Sequence, residues 1–349
     1  MRRAAIDRDL AAFDPGRDIA AARRRFPDAP LPFIDLASGI NPNPYPLSAL
    51  TPAAFTHLPG PEAFARLAEV AAARYNAPSA AHVVCAPGSR ILLSCVASLS
   101  AGARHAAVLQ PPAAGQARIS HREALIASGL SLSLEPSLGA LAAADLALVV
   151  NPDDPDGRLI PRMRLLDLAA DLGRRGGMLL VDEADMDVAT LSETLARDVD
   201  RAPIAVLRTF GKFHGLSGLR LGFAISAPAF ASRLRAMLGP WAVSGPALAV
   251  GTAALADAGW ARQTRSDLAY AAVRLDSVLE EAGLRVEGGT ALFRLARCGD
   301  ALRWWVRLGQ AGVLVRRFPD RPEMLRFGLP RDEPGFERLT AALALGPAD

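Results

Sequence analysis

The chain has 349 residues, of which 51% are hydrophobic and 21% are charged, and its formal net charge is +3; this predicts a globular protein with one large domain and one smaller domain. No long apolar run is present, which argues against a membrane span, and the arginines are interspersed with nearly as many acids, which argues against a nucleic-acid surface. Acidic residues near the N-terminus argue against a transit peptide, and three scattered cysteines argue against a disulfide framework or a metal site, so we expect a cytoplasmic protein without a bound metal.

Short apolar runs followed by turns and helical patterns make up the central part of the chain. The predicted strands cover residues 82–85, 106–109, 146–150, 178–181, 204–207 and 219–225. Helices are predicted between several of them, for example over residues 89–100 and 162–174. This alternation is typical of an open α/β sheet.

The pattern changes after about residue 244. Two long helices are predicted over residues 246–258 and 262–282, and short strands are predicted at residues 284–286, 292–295, 312–316 and 324–328. We therefore predict a large domain over residues 47–243 and a smaller α+β domain formed by residues 1–46 and 244–349.

The thirty-nine basic residues comprise one lysine, Lys212, and thirty-eight arginines. Such a composition suggests that arginine replaces lysine wherever either will serve. A position that stays lysine then indicates chemistry that arginine cannot perform, such as nucleophilic attack by a deprotonated primary amine on a carbonyl group.

Polar residues follow four of the predicted strands at the points where they end. They are Gly88, Ser89 and Arg90, the segment 151–157, Asp182, and Thr209 with Lys212. Ligands of an open parallel sheet bind beyond the carboxyl ends of its strands, so we expect these segments to converge on one crevice.

A phosphorylated pyridine aldehyde would find a partner in each segment. The helix beginning at Ser89 offers backbone N–H groups and a positive dipole end to a phosphate, and Arg220 could reach the same phosphate. Asp182 could keep a pyridine nitrogen protonated, which makes the ring an electron sink. Lys212 could then bind the aldehyde covalently.

Over nearly its whole length the chain resembles a known family. The segments that carry the resemblance are APGSRILL, NPDDPDGR, VDEADMDV, LRTFGKFHGLSGLRLGF, GPWAVSGPALA, GVLVRRF and LRFGLP. They are similar to segments of the threonine-phosphate decarboxylases of cobalamin biosynthesis, which are close to the histidinol-phosphate aminotransferases. The resemblance implies a fold-type I α/β fold, namely a mainly parallel mixed sheet with helices on both faces and a smaller α+β domain. It also implies pyridoxal 5'-phosphate as cofactor and a homodimer.

The resemblance assigns a role to individual residues. It implies that Lys212 is the Schiff-base lysine and that Asp182 is the partner of the pyridine nitrogen. The cofactor-binding positions are Gly88, Ser89, Arg90, Asp154, Asp182, Thr209, Lys212 and Arg220. The substrate-binding positions are Gly39, Ile40 and Asn41 of the turn ASGINPNPYP, Arg316 for a phosphate and Arg326 for a carboxylate.

Four positions near the cofactor depart from the family pattern. Ala114 replaces an aromatic ring stacked on the pyridine, Asp154 replaces an amide, Asp185 replaces an aromatic residue, and Gly211 replaces a serine. Loss of the stacked ring could cost roughly 1 kcal/mol beyond area burial. A carboxylate about 4 Å from a phenolate could add up to ~4 kcal/mol at an effective dielectric constant near 20. Cofactor binding should therefore be weaker than in the relatives.

Three hypotheses follow. The first is decarboxylation of L-threonine O-3-phosphate, and the second is an aminotransferase acting on histidinol phosphate or a similar amino-phosphate. The third, suggested by Ala114, Asp154 and Asp185, is a cofactor-poor homologue that acts as a binding partner.

Overall fold

The computed structural model describes residues 19–100, 102–110 and 119–348, which form two compact units. The larger unit comprises the described residues between Pro44 and Thr264, and the smaller unit those up to Asn43 and from Arg265 onward. We predicted that the small domain begins at residue 244, whereas residues 244–264 belong to the larger unit. The reason is that helix Gly245–Ala256 packs along helix Pro61–Tyr75 of the larger unit.

The strands are short, as expected for a compact α/β chain. In chain order they are β1 (Ile34–Asp35), β2 (Val83–Ala86), β3 (His105–Leu109), β4 (Ser131–Glu135), β5 (Leu146–Val150), β6 (Met178–Asp182), β7 (Ile204–Thr209), β8 (Gly222–Ser226), β9 (Arg285–Thr290), β10 (Phe293–Arg297), β11 (Val313–Leu314), β12 (Arg316–Arg317) and β13 (Met324–Gly328).

The helices begin at recognisable capping signals in several places. Ser244, Asp300 and Asp332 each accept a hydrogen bond from a backbone N–H of the first turn that follows. In chain order the helices are α1 (Ile19–Arg25), α2 (Ala53–Thr56), α3 (Pro61–Tyr75), α4 (Ser89–Leu99), α5 (Ile119–Ala127), α6 (Leu138–Leu141), α7 (Arg162–Gly173), α8 (Phe210–Phe213), α9 (Pro228–Leu238), α10 (Gly245–Ala256), α11 (Ala258–Glu281), α12 (Ala301–Gln310) and α13 (Glu333–Ala344).

The larger unit is built on a 7-stranded sheet with the order β2-β8-β7-β6-β5-β3-β4. Strand β8 runs antiparallel to both of its neighbours, and the other pairs are parallel. The prediction of a mainly parallel mixed sheet is therefore confirmed. Edge strand β4 was not predicted, and β8 begins at Gly222 rather than at residue 219.

Both faces of this sheet are covered by helices, as predicted. Alternate residues of β5 and β6, such as Val149 and Val181, pack with α3, α7 and α10 on one side. Their neighbours Leu148 and Leu180 pack with α4 and α9 on the other side. Burial on both faces explains why the central strands are continuously apolar in sequence.

The smaller unit contains a 4-stranded sheet with the order β12-β13-β10-β9 and a separate pair of β1 with β11. The 4-stranded sheet is antiparallel throughout, whereas β1 and β11 are parallel. This unit is the predicted α+β part of the chain.

None of the helices formed by residues 19–100, 102–110 and 119–348 is long and apolar enough to cross a membrane. Within the same residues no three histidine, cysteine, aspartate or glutamate side chains are grouped so that they could hold a metal ion.

Candidate active site

The carboxyl ends of four strands lie at one edge of the large sheet. Strands β5, β6 and β7 are parallel neighbours, and β2 has the same direction because it and β7 are both antiparallel to β8. Ser89, Asp182 and Thr209 stand at the ends of β2, β6 and β7, respectively, or directly beyond them. The topology therefore brings these predicted positions to a common edge.

A candidate phosphate site forms at the start of α4. The hydroxyl of Ser89 lies 2.8 Å from that of Thr209. Gly88 has a φ of +99°, and a Cβ atom there would lie 2.8 Å from Nη2 of Arg220, so the guanidinium lies directly against this glycine. Arg220 itself adopts a left-handed backbone conformation with a φ of 55°. Two hydroxyls, a guanidinium and the N-terminus of an 11-residue helix together provide the donors that a phosphate requires.

The side chain of Arg90 does not belong to this group. It is exposed, and its Nη2 lies 3.3 Å from a carboxylate oxygen of Glu123. The backbone N–H of Arg90 still lies in the first turn of α4, where N–H groups have no partner within the helix. Arg90 can therefore contribute to this phosphate site only through its backbone N–H.

The carboxylate of Asp182 is buried at the end of β6 and is held from two sides. Its Oδ2 lies 2.7 Å from Nε2 of His121, and its Oδ1 accepts a hydrogen bond of 3.1 Å from the backbone N–H of Ala184. Burial alone would raise the pKa of Asp182, but the hydrogen bond and charge of His121 and the charge of Lys212 outweigh burial and lower the pKa below its ordinary value. Asp182 is therefore an ionised carboxylate that can stabilise a facing cation.

Sequence reasoning did not identify His121. It lies in α5 and is 61 positions away from Asp182 along the chain. A single histidine in a helical pattern is most often an ordinary surface or core residue, so its spacing gave no signal. Only the packing of α5 shows that His121 orients the carboxylate.

Lys212 lies in the short helix α8, directly after β7. Its Nζ lies 2.7 Å from Oδ2 of Asp185, whose side chain is 1% exposed, whereas the lysine side chain is 23% exposed. Lys212 also lies close enough to Asp182 for its charge to act on that carboxylate. The single lysine of the chain therefore faces the predicted site and has two carboxylates nearby.

Two of the departures from the family pattern have a structural context. Asp185 occupies a buried position and contacts Lys212. Gly211 packs so closely on the next turn that a Cβ atom would lie 2.6 Å from Cα of Ser217, which leaves no room for a serine side chain.

The other two departures are Asp154 and Ala114. Asp154 is half-buried in the loop after β5, which Asn151 anchors through hydrogen bonds of 2.7 and 3.1 Å to the backbone of Ile160. Ala114 lies outside the described residues.

A buried arginine supports the loop that carries Asp182 and Asp185. Arg208 is 1% exposed, and its guanidinium lies 3.0 Å from Glu183 and 3.1 Å from Asp187. The segment after β6 thus directs Asp182 and Asp185 towards His121 and Lys212, and it directs Glu183 and Asp187 towards Arg208. Burial of four carboxylates within six positions is possible because each lies beside a basic side chain.

The predicted substrate residues belong to the smaller unit. Arg326 is 2% exposed, donates a hydrogen bond of 2.6 Å to the carbonyl of Ala37, and stacks over the ring of Phe293 at 4.9 Å. Arg316 on β12 is the direct cross-strand partner of Arg326 on β13. Side chains of such partners extend from the same face of a sheet, and like charges there are destabilising unless anions compensate them. The pair is suited to a ligand with two anionic groups.

The turn containing Gly39, Ile40 and Asn41 lies beside Arg326 in the same unit. A Cβ atom at Gly39, whose φ is +63°, would lie 3.5 Å from Nη2 of Arg326. Asn41 is buried and its Oδ1 accepts a hydrogen bond of 2.9 Å from the backbone N–H of Asn43, while Ile40 is half-buried. The turn therefore forms one wall of the arginine site.

Comparison with known proteins identifies similar sequences over most of the chain. The sequence profile of "Aminotransferase class I and II" matches residues 130–343. A threonine-phosphate decarboxylase of Pseudomonas aeruginosa is 40% identical over 334 residues, which are 94% of this chain and 96% of that protein. A threonine-phosphate decarboxylase of a Sinorhizobium species is 35% identical over 330 residues, which are 94% of this chain and 97% of that protein.

Solved structures with the same fold were also found. A histidinol-phosphate aminotransferase from Sinorhizobium meliloti, in complex with pyridoxal-5'-phosphate, superimposes with a TM-score of 0.78 at 21% identity and covers 95% of this chain and 96% of its own. An L-threonine-O-3-phosphate decarboxylase from Porphyromonas gingivalis superimposes with a TM-score of 0.70 at 19% identity and covers 89% of this chain and 98% of its own. At these identities the structures establish the common fold.

Proposed function

Because this chain belongs to the aminotransferase class I and II family, we propose that it is a pyridoxal-phosphate-dependent lyase that converts L-threonine O-3-phosphate to (R)-1-amino-2-propanol phosphate for cobalamin biosynthesis. The observation that carries the proposal is the match to two threonine-phosphate decarboxylases over 94% of this chain. The arrangement of Lys212, Asp182 and the Ser89 helix start supports it, because the aldehyde, the pyridine nitrogen and the phosphate of the cofactor each have a suitable partner there.

The described residues fit pyridoxal phosphate. Ser89, Thr209 and Arg220 would hold its phosphate at the start of α4, where the close approach of Arg220 to Gly88 leaves no room for a side chain. The ionised Asp182 would hold a proton on the pyridine nitrogen. When bound, the cofactor supplies a protonated ring that accepts the electrons released when a bond to the α-carbon of the substrate breaks.

The remaining steps use side chains of the chain itself. Lys212 provides the amine for attachment of the cofactor and afterwards can donate a proton to the α-carbon of the substrate. Arg326 would bind the carboxylate of the substrate and Arg316 its phosphate, because a planar guanidinium binds either group through two parallel hydrogen bonds. The adjacent positions of these arginines on β13 and β12 suit a substrate with two anionic ends.

Product analysis tests the proposal directly. Purified protein incubated with pyridoxal phosphate and L-threonine O-3-phosphate should release carbon dioxide and form an amino-alcohol phosphate. A matched reaction with the Lys212→Arg variant should release none, since arginine keeps the positive charge but cannot attack a carbonyl. Formation of a keto acid in place of carbon dioxide, after addition of an amino acceptor, would instead identify an aminotransferase.

The aminotransferase remains the alternative function, because one relative named histidinol-phosphate aminotransferase is 31% identical over 60% of this chain. Incubation with histidinol phosphate and 2-oxoglutarate should yield glutamate if this alternative holds. A cofactor-poor homologue would behave differently from both enzymes: it would stay colourless with pyridoxal phosphate and would acquire no label at Lys212 on borohydride treatment.

We also propose that the protein acts as a cytoplasmic homodimer. Four exposed apolar side chains of the larger unit lie close along the chain to α2 or to the start of α10, and the carbonyl of Ala54 in α2 lies against Gly245 at the start of α10. These exposed side chains are Leu47, Phe55, Leu58 and Trp241. Such a group of apolar residues marks an interaction surface. Light scattering coupled to gel filtration should give twice the mass of one chain. Introduction of a charge through Phe55→Glu should shift the measured mass towards that of a single chain.

A further inference from the structure

We propose that Asp185 is the counter-ion of Lys212 and slows cofactor loading by holding the lysine amine as an ammonium ion. The inference deepens the proposed function, because it rests on Lys212 being the residue that takes the cofactor. It concerns a carboxylate at a position where the resemblance leads one to expect an aromatic residue.

The geometry of the pair is that of a charge-assisted hydrogen bond. Nζ of Lys212 and Oδ2 of Asp185 are separated by 2.7 Å, which is within the range for such bonds. The carboxylate is almost fully shielded from water, with 1% of its side chain exposed, whereas 23% of the lysine side chain is exposed. Solvent therefore screens the attraction much less than in a surface ion pair.

The other carboxylates of the segment 182–187 have different partners. The charge of Lys212 acts on Asp182, but that carboxylate is hydrogen-bonded to His121. Glu183 and Asp187 lie within 3.0 and 3.1 Å of the Arg208 guanidinium. Asp185 thus contributes a carboxylate that directly contacts the lysine amine. Further charged groups at this edge of the sheet are Asp154 in the loop after β5 and Arg220 ahead of β8.

The expected effect on reactivity follows from the state of the nitrogen lone pair. An amine reacts with an aldehyde only after the ammonium ion has lost a proton. A nearby carboxylate favours the ammonium form, so it lowers the fraction of reactive amine at neutral pH. An opposite charge at hydrogen-bonding distance typically changes this fraction by about tenfold or more. Removal of the carboxylate should therefore make Lys212 more reactive.

The single lysine makes this measurable without any cofactor. The rate at which trinitrobenzenesulfonate modifies Lys212 is followed against pH in the cofactor-free protein, with the modified peptide quantified by mass spectrometry so that the α-amino group is counted separately. In Asp185→Asn the midpoint of the rate profile should move to lower pH, and the rate at neutral pH should rise about tenfold or more. Asp185→Glu, which retains the charge, should restore slow modification.

Control variants separate the effect of the Asp185 charge from general effects of substitution. Asp145→Asn removes a carboxylate ahead of β5, at the opposite end of that strand, where it accepts hydrogen bonds of 2.8 and 3.0 Å from the backbone of Arg104 and His105. Its rate profile should coincide with that of the unchanged protein. Asp185→Ser provides a second neutral variant if Asp185→Asn does not fold. If the rate profiles of Asp185→Asn and Asp185→Ser both coincide with that of the unchanged protein, the inference is overturned.

Cofactor loading gives an independent readout. After addition of pyridoxal phosphate, visible absorbance should appear faster in Asp185→Asn than in the unchanged protein at neutral pH, and the difference should vanish at alkaline pH where both amines are unprotonated. Equal loading rates at neutral pH would contradict the inference. Failure of the proposed function is seen separately, as absence of carbon dioxide release from L-threonine O-3-phosphate by the fully loaded unchanged protein.

Discussion

Replacement of Arg208 by methionine should strongly destabilise the larger unit. Arg208 is 1% exposed and lies 3.0 Å from Glu183 and 3.1 Å from Asp187, which are themselves 0% and 2% exposed. Methionine fills a similar volume but leaves two buried carboxylates without their common cation. Removal of one partner from a buried ion pair costs about 3 to 5 kcal/mol, and we expect the free energy of unfolding to fall by about that amount.

The loss of stability in Arg208→Met should depend on pH in a defined direction. Burial raises the pKa of Glu183 above its ordinary value, and the charge of Arg208, together with hydrogen bonds from Thr194, Leu195 and Arg208, offsets part of this rise. A carboxyl group whose pKa is raised on folding favours the folded state at acidic pH and loses that contribution as the pH rises through the folded pKa. Without Arg208 the rise is larger. The destabilisation should therefore be greatest at neutral pH and smaller at mildly acidic pH, where Glu183 takes up a proton.

Urea unfolding followed by circular dichroism at neutral and acidic pH measures both effects. The matched control is Arg174→Met, because Arg174 forms an ion pair with Asp171 in which the arginine side chain is 72% exposed. Exposed pairs contribute about 0 to 1 kcal/mol, so this variant should unfold close to the unchanged protein. If Arg208→Met were as stable as Arg174→Met at neutral pH, the buried carboxylates would not depend on Arg208, and our reasoning would be refuted.

Three further predictions concern the candidate site. Lys212→Arg should remain colourless with pyridoxal phosphate and acquire no borohydride-stable label, whereas a label on this variant would place the attachment elsewhere. His121→Asn should weaken cofactor affinity about ten- to a hundredfold, since a charged hydrogen bond contributes about 1.5 to 3 kcal/mol. Because His121 lowers the pKa of Asp182, its loss should also move the acidic limit of cofactor binding to higher pH, and an unchanged binding curve would show that Asp182 does not need this partner. Arg316→Gln and Arg326→Gln should each raise KM for L-threonine O-3-phosphate by about tenfold or more.

Local patterns were sufficient to predict most of the large sheet. Strands β5 and β6 are buried on both faces, so their sequences are continuous apolar runs that can be recognised without a partner. Edge strand β4 was missed because its sequence, SLSLE, is only partly buried and has a polar residue at every second position. The start of β8 was placed too early because the left-handed backbone of Arg220 leaves no mark in a hydrophobic pattern.

The site residues also divide into those that local patterns predicted and those that only tertiary contacts placed. Ser89, Asp182 and Lys212 each lie at the end of a strand or shortly after it, and the parallel order of the strands was enough to predict that they share one edge of the sheet. Their roles in binding cofactor stay predictions that the labelling and affinity measurements address. The direction of the Arg90 side chain could not be predicted, because it could turn either way from the first turn of α4 and its contact with Glu123 decides the direction.

The sequence by itself determined which chemical groups are available: a single lysine side-chain amine, a carboxylate at a strand end and a helix start with hydroxyl donors. Only the tertiary structure decided which groups meet, because the deciding contacts join positions far apart in the chain. His121 reaches Asp182 across 61 positions, and Lys212 reaches Asp185 across 27. Such contacts depend on how α5, β6 and β7 pack around one another, and it is this packing, rather than any local pattern, that lowers the pKa of Asp182 and places the Asp185 carboxylate beside the Lys212 amine.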